Sequence, residues 1–325
     1  MQLKKILIIR FSSIGDIVLT TPIIRCAKKQ LSSTEIHFVT KEAFKSVLVH
    51  NPNISKLYTF KEDISELYEQ LKAEKYDVLI DLHKNLRSLR LKQKLKVKSF
   101  SFNKLNVEKF LAVRFKQINK LPAKHIVDRY FETIKPLGVK NDSKGLDYFI
   151  HSNDEVDTTI LLLKQSQKKF IALVVGGSYY TKKIPLNKLV QICQSAPLPV
   201  ILLGGKEDKL IADELQKQIP QLINTCGQYS INQSASIIKQ AEWVITSDTG
   251  LMHIASAYNK KIISIWGNTI PEFGMAPYLP NIENTIIELK GLSCRPCSKL
   301  GFKACPKGHF KCMNEIDLSV IKELK

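Results

Sequence analysis

The sequence predicts an α/β protein with two parallel sheets, and three features of the chain lead to this fold class. Short β-branched runs alternate with amphipathic helical stretches almost throughout, which is typical of a parallel sheet covered on both faces. A length of 325 residues suits two domains of roughly 150 residues each. A hydrophobic fraction of 44%, with no apolar run near the ~20 residues of a membrane span, is typical of a soluble globular chain.

The alternation forms two series that are separated by a less regular stretch. In the first series we predict strands at residues 5–10, 35–40, 56–60, 77–81 and 97–102, with helices such as 17–30 and 64–75 between them. Residues 140–157 are rich in Asp, Asn, Ser and Lys and interrupt the pattern. In the second series we predict strands at residues 170–174, 199–203, 222–225, 243–246 and 261–266. We therefore expect an N-terminal domain over residues 1–155 and a C-terminal domain over residues 156–325.

Charge and cysteine content indicate a class of partner and a compartment. The 49 basic and 30 acidic residues give a net charge of +19, which attracts the phosphates of nucleic acid, anionic lipid headgroups or a phosphorylated substrate. Charge alone does not choose among these partners, and much of the surplus is Lys scattered over predicted helix faces. Seven cysteines, an odd number without a secretory signal, favour reduced thiols in the cytoplasm.

The first predicted strand is followed by a short loop that ends in a carboxylate. Ser12, Ser13 and Gly15 form a Ser-Ser-x-Gly turn that leads to Asp16 and then to an apolar helix. Ligands of open parallel sheets bind at the carboxyl ends of the strands, so we expect Asp16 at a helix N-terminus facing the interdomain cleft. Simple helix capping by Asp16 is the alternative. A single glycine is not a G-x-G-x-x-G fingerprint, so a nicotinamide site is poorly supported.

A second loop with distinctive residues follows the predicted strand 243–246. Ser247, Asp248, Thr249 and Gly250 precede an apolar helix, and this order exposes backbone N–H groups and a hydroxyl at a positive helix end. Such an end is a ready site for a diphosphate. His253 lies four residues after Thr249, hence on the same helix face, although a structural role is the usual one for a lone His.

Seven short stretches in the two halves of the chain form an ordered series. In the first half they are residues 8–16 (IIRFSSIGD), 81–87 (DLHKNLR) and 125–130 (HIVDRY). In the second half they are 176–178 (GGS) with Lys182 and Pro185, 203–205 (LGG), 247–253 (SDTGLMH) and 266–269 (WGNT). Together these stretches span nearly the whole chain, and the series resembles glycosyltransferase family 9, the heptosyltransferases that build the inner core of lipopolysaccharide.

This resemblance implies a fold and a reaction. The fold is GT-B, two facing Rossmann-like domains with parallel sheets, in which the N-terminal domain binds the acceptor and the C-terminal domain binds the nucleotide sugar. Residues 314–325 would form a terminal helix near the hinge. The chain contains no Asp-x-Asp triplet, so the metal-diphosphate clamp common in the other glycosyltransferase fold is missing and we expect a metal-free, inverting mechanism with no cofactor required for catalysis.

The resemblance also implies catalytic roles. Asp16 would be the general base that takes the proton from an acceptor hydroxyl while that oxygen attacks the anomeric carbon of the donor. Preorganised donors would stabilise the charge on the departing nucleoside diphosphate, with Lys182 as the principal cation. Thr249, the Gly250 amide and the N-terminus of their helix would assist Lys182.

Binding roles follow from the same resemblance. On the donor side it implies Gly177, Ser178, Glu207, Asp248, Thr249, Gly250 and His253, and on the acceptor side Ser13, Gly15, Asn85 and Arg87. Glu207, or its neighbour Asp208, would accept hydrogen bonds from the ribose hydroxyls, with surface solvation as the alternative for both. We expect Asp248 to organise its loop through backbone hydrogen bonds, because an anion in contact with the diphosphate would be repelled.

A basic stretch in the first half bears on the partners. Residues 84–124 contain many Lys and Arg with apolar residues interleaved, which fits a face beside the acceptor cleft that contacts phosphates or an anionic membrane. A solvated helix face is the alternative for most of these lysines. We expect the partners to be a nucleotide-sugar donor and an anionic lipid-linked acceptor, met by a cytoplasmic protein at the periphery of the inner membrane.

A cluster of potential metal ligands lies near the end of the chain. Cys294, Cys297, Cys305, His309 and Cys312 fall within residues 294–312, a spacing compatible with a tetrahedral structural zinc site. Packing thiols and a redox-sensitive pair are the alternatives. The segment lies far along the chain from Asp16, so we expect its role to be structural.

Two rival functions stay open from the sequence. A nucleotide-sugar epimerase on the same architecture needs acid and base residues around the sugar but no acceptor site. A nucleic-acid binder rests on charge alone, since no recognisable RNA- or DNA-binding motif is present, and we therefore expect no nucleic-acid partner. The family resemblance favours transfer of a heptose from ADP-heptose, although the residues that contact the donor sugar are not identified by these motifs.

Overall fold

The computed structural model describes residues 3–324, which fold into two compact units. The first unit contains the chain up to Lys104 together with Lys124–Phe149. The second unit contains Leu105–Ala123 and the chain from Ile150 onward. The chain therefore passes between the units at three places, whereas the sequence-based division has a single passage after residue 155.

Strands and helices alternate along both units. The strands are β1 (Lys5–Ile9), β2 (Glu35–Lys41), β3 (Lys56–Phe60), β4 (Val78–Asp81), β5 (Lys98–Ser101), β6 (Ile171–Val174), β7 (Val200–Leu203), β8 (Ile223–Asn224), β9 (Trp243–Ser247), β10 (Lys261–Trp266) and β11 (Thr285–Glu288). The α-helices are α1 (Ile14–Val18), α2 (Thr21–Gln30), α3 (Tyr68–Ala73), α4 (Leu86–Leu95), α5 (Asn106–Phe115), α6 (Ile126–Ile134), α7 (Thr158–Leu161), α8 (Leu186–Ser195), α9 (Lys209–Gln218), α10 (Ile231–Gln240), α11 (Gly250–Ala257) and α12 (Lys311–Asn314). None of the helices within residues 3–324 combines the length and the apolar character needed to cross a membrane.

The sheet of the first unit has β1 at its centre. Its strands lie in the order β3-β2-β1-β4-β5, and all of them are parallel. A strand in the middle of a parallel sheet is covered on both faces, which explains why Ile6, Leu7, Ile8 and Ile9 are all buried. The carboxyl ends of β1 and β4 are neighbours, because Ile9 pairs with Asp81.

The sheet of the second unit is also parallel and reverses direction next to its first strand. The order is β11-β10-β9-β6-β7-β8, so the chain moves from β6 to β7 and β8 on one side and then returns to β9 on the other. This reversal leaves a crevice at the carboxyl ends of β6 and β9, which is where open α/β sheets bind ligands. Two apolar clusters cover the two faces of the sheet, and one of them includes Phe310, Ile316 and Leu324 from the end of the chain.

All ten predicted strands are present, each within one residue of its predicted bounds. The prediction of an α/β fold with two parallel sheets is therefore confirmed. The sequence missed β11, a four-residue strand with the sequence TIIE at the edge of the second sheet. Only Ile287 of this strand is buried, so it lacks the apolar run that marks the other strands.

The predicted helix over residues 17–30 consists of two helices, α1 and α2. The hydroxyls of Thr20 and Thr21 donate to the carbonyl oxygens of Ile17 and Val18, each at 2.7 Å. Hydroxyls that bond back to the preceding turn compete with the helical pattern. Pro22 lacks a backbone N–H and is tolerated only in the first turn of a helix, so the new helix begins here.

The predicted terminal helix over residues 314–325 is wrong for the described part of the chain. The structure instead has α12, a turn around Asp317, and a 3-10 helix at Ser319–Glu323. Asp317 accepts hydrogen bonds from the backbone and hydroxyl of Ser319. The buried residues Leu318, Ile321 and Leu324 are three apart, which is the period of a 3-10 helix rather than of an α-helix. Lys325, the last residue of the prediction, lies outside the described residues.

Candidate functional site

The loop after β1 positions Asp16 through a network around Arg10. The guanidinium of Arg10 pairs with Asp16, with Nη2 and Oδ1 2.7 Å apart. Its other groups donate to the carbonyl of Ser12 at 2.8 Å, the carbonyl of Leu82 at 2.6 Å and the hydroxyl of Tyr130 at 3.1 Å. The Arg10 side chain is only 10% exposed. Each of these bonds fixes the guanidinium, and the guanidinium in turn fixes the carboxylate.

Ser13 holds the opposite side of the same carboxylate. Its backbone N–H and its hydroxyl donate to Asp16 Oδ2 at 3.3 and 3.0 Å. Asp16 lies in the first turn of α1 as predicted, and Ser13 occupies the capping position. The side chain of Asp16 is 22% exposed, so part of it faces solvent and is accessible to a ligand. Gly15 is buried in the same turn.

Burial and charge act in opposite directions on the ionisation of Asp16. Burial favours the neutral acid, but the Arg10 charge and the Ser13 hydrogen bonds favour the carboxylate more, so the pKa of Asp16 lies below its ordinary value. Burial opposes the charge of Arg10, but Asp16, Tyr130 and Asp81 together outweigh it, so the pKa of Arg10 is raised. The side chain of Asp16 is therefore an ionised proton acceptor at neutral pH.

His83 lies beside this pair and was not among the predicted site residues. Its ring is 4.7 Å from the ring of Phe11, centroid to centroid. Burial, followed by the charge of Arg10, lowers the pKa of His83 to about 4, so the imidazole is neutral. Its Nδ1 is buried and has no hydrogen-bond partner within residues 3–324. One signal for His83 was present in the sequence, since this residue follows β4 and belongs to the stretch 81–87.

The predicted acceptor residues Asn85 and Arg87 lie at the start of α4. Asn85 caps this helix by accepting a hydrogen bond from the Ser88 amide at 3.0 Å. Arg87 is partly exposed in the first turn. The fully buried Asp81 organises the turn, since it accepts bonds from the backbone of His83 and from the Ser88 hydroxyl. The structure thus places Asn85 in a structural bond and leaves Arg87 open to solvent.

In the second unit, the loops after β6, β9 and β10 converge on Asp248. Lys182 Nζ lies 2.5 Å from Asp248 Oδ2, and the Thr269 hydroxyl donates to the same oxygen at 3.0 Å. Asp248 therefore organises its surroundings through side chains, whereas the sequence predicted backbone hydrogen bonds. Gly177 lies in the loop after β6, where an added Cβ would be 3.8 Å from Thr249 Cγ2. The partly exposed Lys182 is the cation of this cluster.

The N-terminus of α11 is open toward this cluster. Thr249 occupies the capping position, but its side chain does not cap the helix, and its hydroxyl instead contacts the Thr246 hydroxyl at 3.1 Å. Within the described residues, the first amides of α11, beginning at Gly250, therefore have no side-chain partner and can receive an anion. His253 lies one turn further on and is only 2% exposed, so the structure places it inside the unit.

The two acidic residues after β7 have different environments. Asp208 is 2% exposed, pairs with Lys183 at 2.6 Å and accepts the Gly205 amide at 3.0 Å. The hydrogen-bonding capacity of Asp208 is therefore largely taken up by groups of the protein itself. Glu207 is exposed, and its carboxylate lies close to Gly205, because a Cβ added to Gly205 would be 2.4 Å from Glu207 Oε2. Of the two alternatives for a ribose contact, Glu207 is the one open to a ligand; the predicted Ser178 is exposed as well.

A segment that includes the cysteines, residues 292–313, braces two of these loops. Arg295 donates to the carbonyls of Gly267 and Thr269 at 2.6 and 2.8 Å, and it pairs with Glu288 at 2.7 Å. Phe302 and Thr181 exchange hydrogen bonds through the Phe302 backbone, with 2.8 Å from its amide to the Thr181 hydroxyl. The segment therefore supports Thr269, one partner of Asp248, and Thr181, the neighbour of the other partner, Lys182.

The cysteines of this segment are free thiols. Cys294 Sγ lies 3.8 Å from His309 Nε2. Burial raises the pKa of Cys297, and it raises the pKa of Cys312 to about 12. Within residues 3–324, no three His, Cys, Asp or Glu side chains are grouped so that they could hold a metal ion. The structural zinc site at Cys294, Cys297, Cys305 and Cys312 stays a prediction.

Comparison with known proteins places these loops in a family. The profile of glycosyltransferase family 9 (heptosyltransferase) matches residues 64–303, which include the loops after β4, β6, β7, β9 and β10. Over 290 residues the chain is 29% identical to lipopolysaccharide heptosyltransferase 1 of Campylobacter coli, a match that covers 82% of this chain and 84% of that protein.

Solved structures with low sequence identity share the fold. The glycosyl transferase family 9 protein from Veillonella parvula has a TM-score of 0.73 at 21% identity and covers 88% of this chain and 86% of its own. The E. coli heptosyltransferase WaaC with ADP has a TM-score of 0.62 at 18% identity and covers 87% and 92%. These likenesses confirm the two Rossmann-like units of the GT-B class.

Six of the seven stretches that carried the resemblance meet in two clusters. Arg10 joins the stretches 8–16, 81–87 and 125–130 through Leu82 and Tyr130. Asp248 joins the loops that contain Lys182 and Thr269. A family profile that covers most of the chain agrees with this convergence. The chain is accordingly an enzyme of glycosyltransferase family 9, the heptosyltransferase family.

Proposed function

We propose that this enzyme transfers a heptose from ADP-heptose to the inner core of lipopolysaccharide or a related lipid-linked acceptor. The observation that carries the proposal is the cluster of Lys182, Asp248 and Thr269 beside the open N-terminus of α11. A cation and free helix amides at a strand-order reversal form a site suited to a nucleoside diphosphate. The named activity of the Campylobacter coli relative, and the ADP in the E. coli structure, support this choice of donor and acceptor.

The donor site stabilises the negative charge of the leaving group. As the bond from the anomeric carbon to the diphosphate oxygen breaks, its electron pair stays on ADP, and Lys182 with the Gly250 amide stabilises the growing negative charge. Asp248 holds the Lys182 ammonium at 2.5 Å until the diphosphate competes for it. The carboxylate of the exposed Glu207 accepts hydrogen bonds from the ribose hydroxyls.

The acceptor side supplies the base. An acceptor hydroxyl beside Asp16 gives its proton to the carboxylate while its oxygen forms a bond to the anomeric carbon from the face opposite the diphosphate. The products are an inverted glycosidic bond, ADP and protonated Asp16. Arg10 keeps this carboxylate ionised and oriented before the reaction.

We further propose that the reaction requires no metal ion and takes place on the cytoplasmic face of the inner membrane. The absence of an Asp-x-Asp triplet from the sequence supports the first point, because Lys182 then supplies the positive charge at the diphosphate. The net charge of +19 supports the second, because an acceptor in a membrane is surrounded by anionic headgroups.

The experiment that tests this function is Asp16→Asn in a transfer assay with ADP-heptose and an isolated core acceptor. Loss of a general base lowers the rate about 10²- to 10⁴-fold. We expect this loss in turnover, with ADP affinity unchanged by calorimetry, because Asp16 does not belong to the donor site. Retained turnover would contradict the base assignment. Formation of an epimerised nucleotide sugar in the absence of any acceptor would instead favour an epimerase.

A further inference from the structure

Helix α5 of the second unit is apolar on two opposite sides. On the inner side, the fully buried Ala112 packs with Ile270 and Phe273. On the outer side, Val107 is 67% exposed and Phe110 is 59% exposed. These two residues are three apart, so they lie on the same helix face. A helix at the surface of a globular protein normally has a polar outer face, so this face is built for a partner.

The outer apolar surface continues to the end of the helix. Phe115 is 57% exposed, and its ring centroid is 6.0 Å from that of Phe110. These are the two most exposed phenylalanines within residues 3–324. By contrast, the exposed Leu210 at the start of α9 follows Lys209, which forms an ion pair with Asp213. Leu210 is an isolated apolar side chain among charges, whereas α5 has a continuous patch.

The charges around this patch are almost all positive. The segment 105–123 contains four basic residues and one acidic residue. Arg114 and Lys120 are exposed. Lys116 is held at the end of α5 by the carbonyls of Cys294 and Pro296, at 3.2 and 2.7 Å. The patch is therefore a pair of aromatic rings with guanidinium and ammonium groups nearby.

Building on the function proposed above, we propose that α5 docks this enzyme onto an anionic lipid bilayer. Val107, Phe110 and Phe115 enter the boundary between headgroups and acyl chains, and Arg114 and Lys120 contact lipid phosphates. Apolar side chains on a helix with basic neighbours are the features of helices that lie in a membrane interface. Charge complementarity favours this occupant over a second copy of the chain, because a symmetric contact would bring the same cations together.

Vesicle co-sedimentation of the 325-residue chain tests the surface. The vesicles are phosphatidylcholine with about one third phosphatidylglycerol, and the variant is Phe110→Ser with Phe115→Ser. We expect the partition coefficient to fall at least about tenfold, since two aromatic side chains no longer leave water. Leu210→Ser removes an apolar side chain elsewhere that is even more exposed, at 84%, and we expect this variant to bind as the wild type does.

A charge variant examines the second part of the patch. Arg114→Glu with Lys120→Glu is expected to lower binding to the same vesicles about tenfold or more, because each cation is attracted to anionic lipid. Lys217→Glu on α9 is the matched control and is expected to bind normally. All of these residues are exposed, so the thermal unfolding midpoints are expected to match that of the wild type.

Three outcomes would overturn the docking surface. They are wild-type vesicle binding by the aromatic variant, wild-type binding by the charge variant, and a wild-type dimer in solution that the aromatic variant converts to a monomer. Transfer onto an acyl-free core oligosaccharide separates this inference from the proposed function. Equal turnover by the wild type and the aromatic variant is expected there. No turnover by either protein would contradict the proposed function and leave the vesicle result standing.

Discussion

The two candidate sites each pair a carboxylate with a cation, but the two cations are held in different ways. Arg10 donates to the carbonyls of Ser12 and Leu82 and to Tyr130 in addition to its bond with Asp16. Lys182 has its ion pair with Asp248 and keeps a partly exposed side chain. A planar guanidinium with several fixed partners orients its neighbour, whereas a flexible ammonium with one strong partner can turn to a ligand. Arg10 therefore positions a carboxylate, whereas Lys182 is the cation that can bind a ligand.

Removal of Arg10 is expected to have the largest effect on the folded state. Arg10→Met leaves Asp16 without its cation and leaves the Leu82 carbonyl without its donor. Breaking a buried ion pair on one side costs about 3–5 kcal/mol of stability. We expect a matching drop in the free energy of unfolding, measured by urea denaturation and circular dichroism, together with loss of transfer.

Arg10→Lys is the control for this prediction. It keeps the charge beside Asp16 but cannot reproduce the planar set of bonds, so an intermediate stability is expected. A Met variant that unfolds at the same urea concentration as the wild type would contradict the role assigned to Arg10.

Removal of Lys182 is expected to lower ligand binding as well as stability, since the Asp248 side chain, 10% exposed, loses its cation. Lys182→Met deletes the cation that we assign to the diphosphate, and a charged hydrogen bond is worth about 1.5–3 kcal/mol, so ADP affinity should fall roughly tenfold to a hundredfold. Titration calorimetry measures this change. Lys217→Met, which removes an exposed lysine of α9, is expected to bind ADP normally. Equal affinities for ADP in the two variants would remove Lys182 from the donor site.

A smaller effect is expected from the serine that holds Asp16. Ser13→Ala removes the hydroxyl bond of 3.0 Å and keeps the backbone bond to the same oxygen. One hydrogen bond is worth about 0.5–1.5 kcal/mol, so turnover is expected to drop roughly three- to tenfold. Ser12→Ala keeps the carbonyl that binds Arg10 and serves as the matched control. A drop in turnover as large as that of Asp16→Asn would mean that Ser13 has a further role.

The smallest expected effect is that of mild acid on the base. The folded-state pKa of Asp16 is lowered, so its contribution to stability is present above the ordinary Asp value and is lost only as pH falls through the lowered pKa. The pH profile of kcat/KM should therefore show no acid limb between about pH 5 and 7. The pKa of about 4 for His83 adds none in that range. An acid limb centred near about pH 6 would identify a different base.

The strands and the two important loops were predictable because they depend on local pattern. Apolar runs such as 261–266 are read directly from the sequence, and the carboxyl end of each run shows where a loop begins. The position of Asp16 in the first turn of a helix follows from the Ser-Ser-x-Gly turn before it. These features need no knowledge of distant residues.

The partners of the charged side chains were not predictable in this way. Arg10 meets Leu82 and Tyr130, which are 72 and 120 residues away in the chain, and the support that Arg295 gives to Thr269 depends on a loop-to-loop contact. In the sequence, the residues of helix α5 were visible only as part of a basic stretch with apolar residues interleaved. Its place in the second unit is decided by packing of Ala112 against Ile270 and Phe273.

The segment Leu105–Ala123 belongs to the second unit, and this limits how the protein can be truncated. A fragment that stops at residue 149 would contain α5 without Ile270 and Phe273, and its inner apolar side would be left in water. A fragment that starts at residue 150 would lack Ala112 and expose the opposite half of the same cluster. Expressing either unit alone thus requires that this segment be moved, by joining Lys104 to Lys124 in one fragment and grafting the helix onto the other.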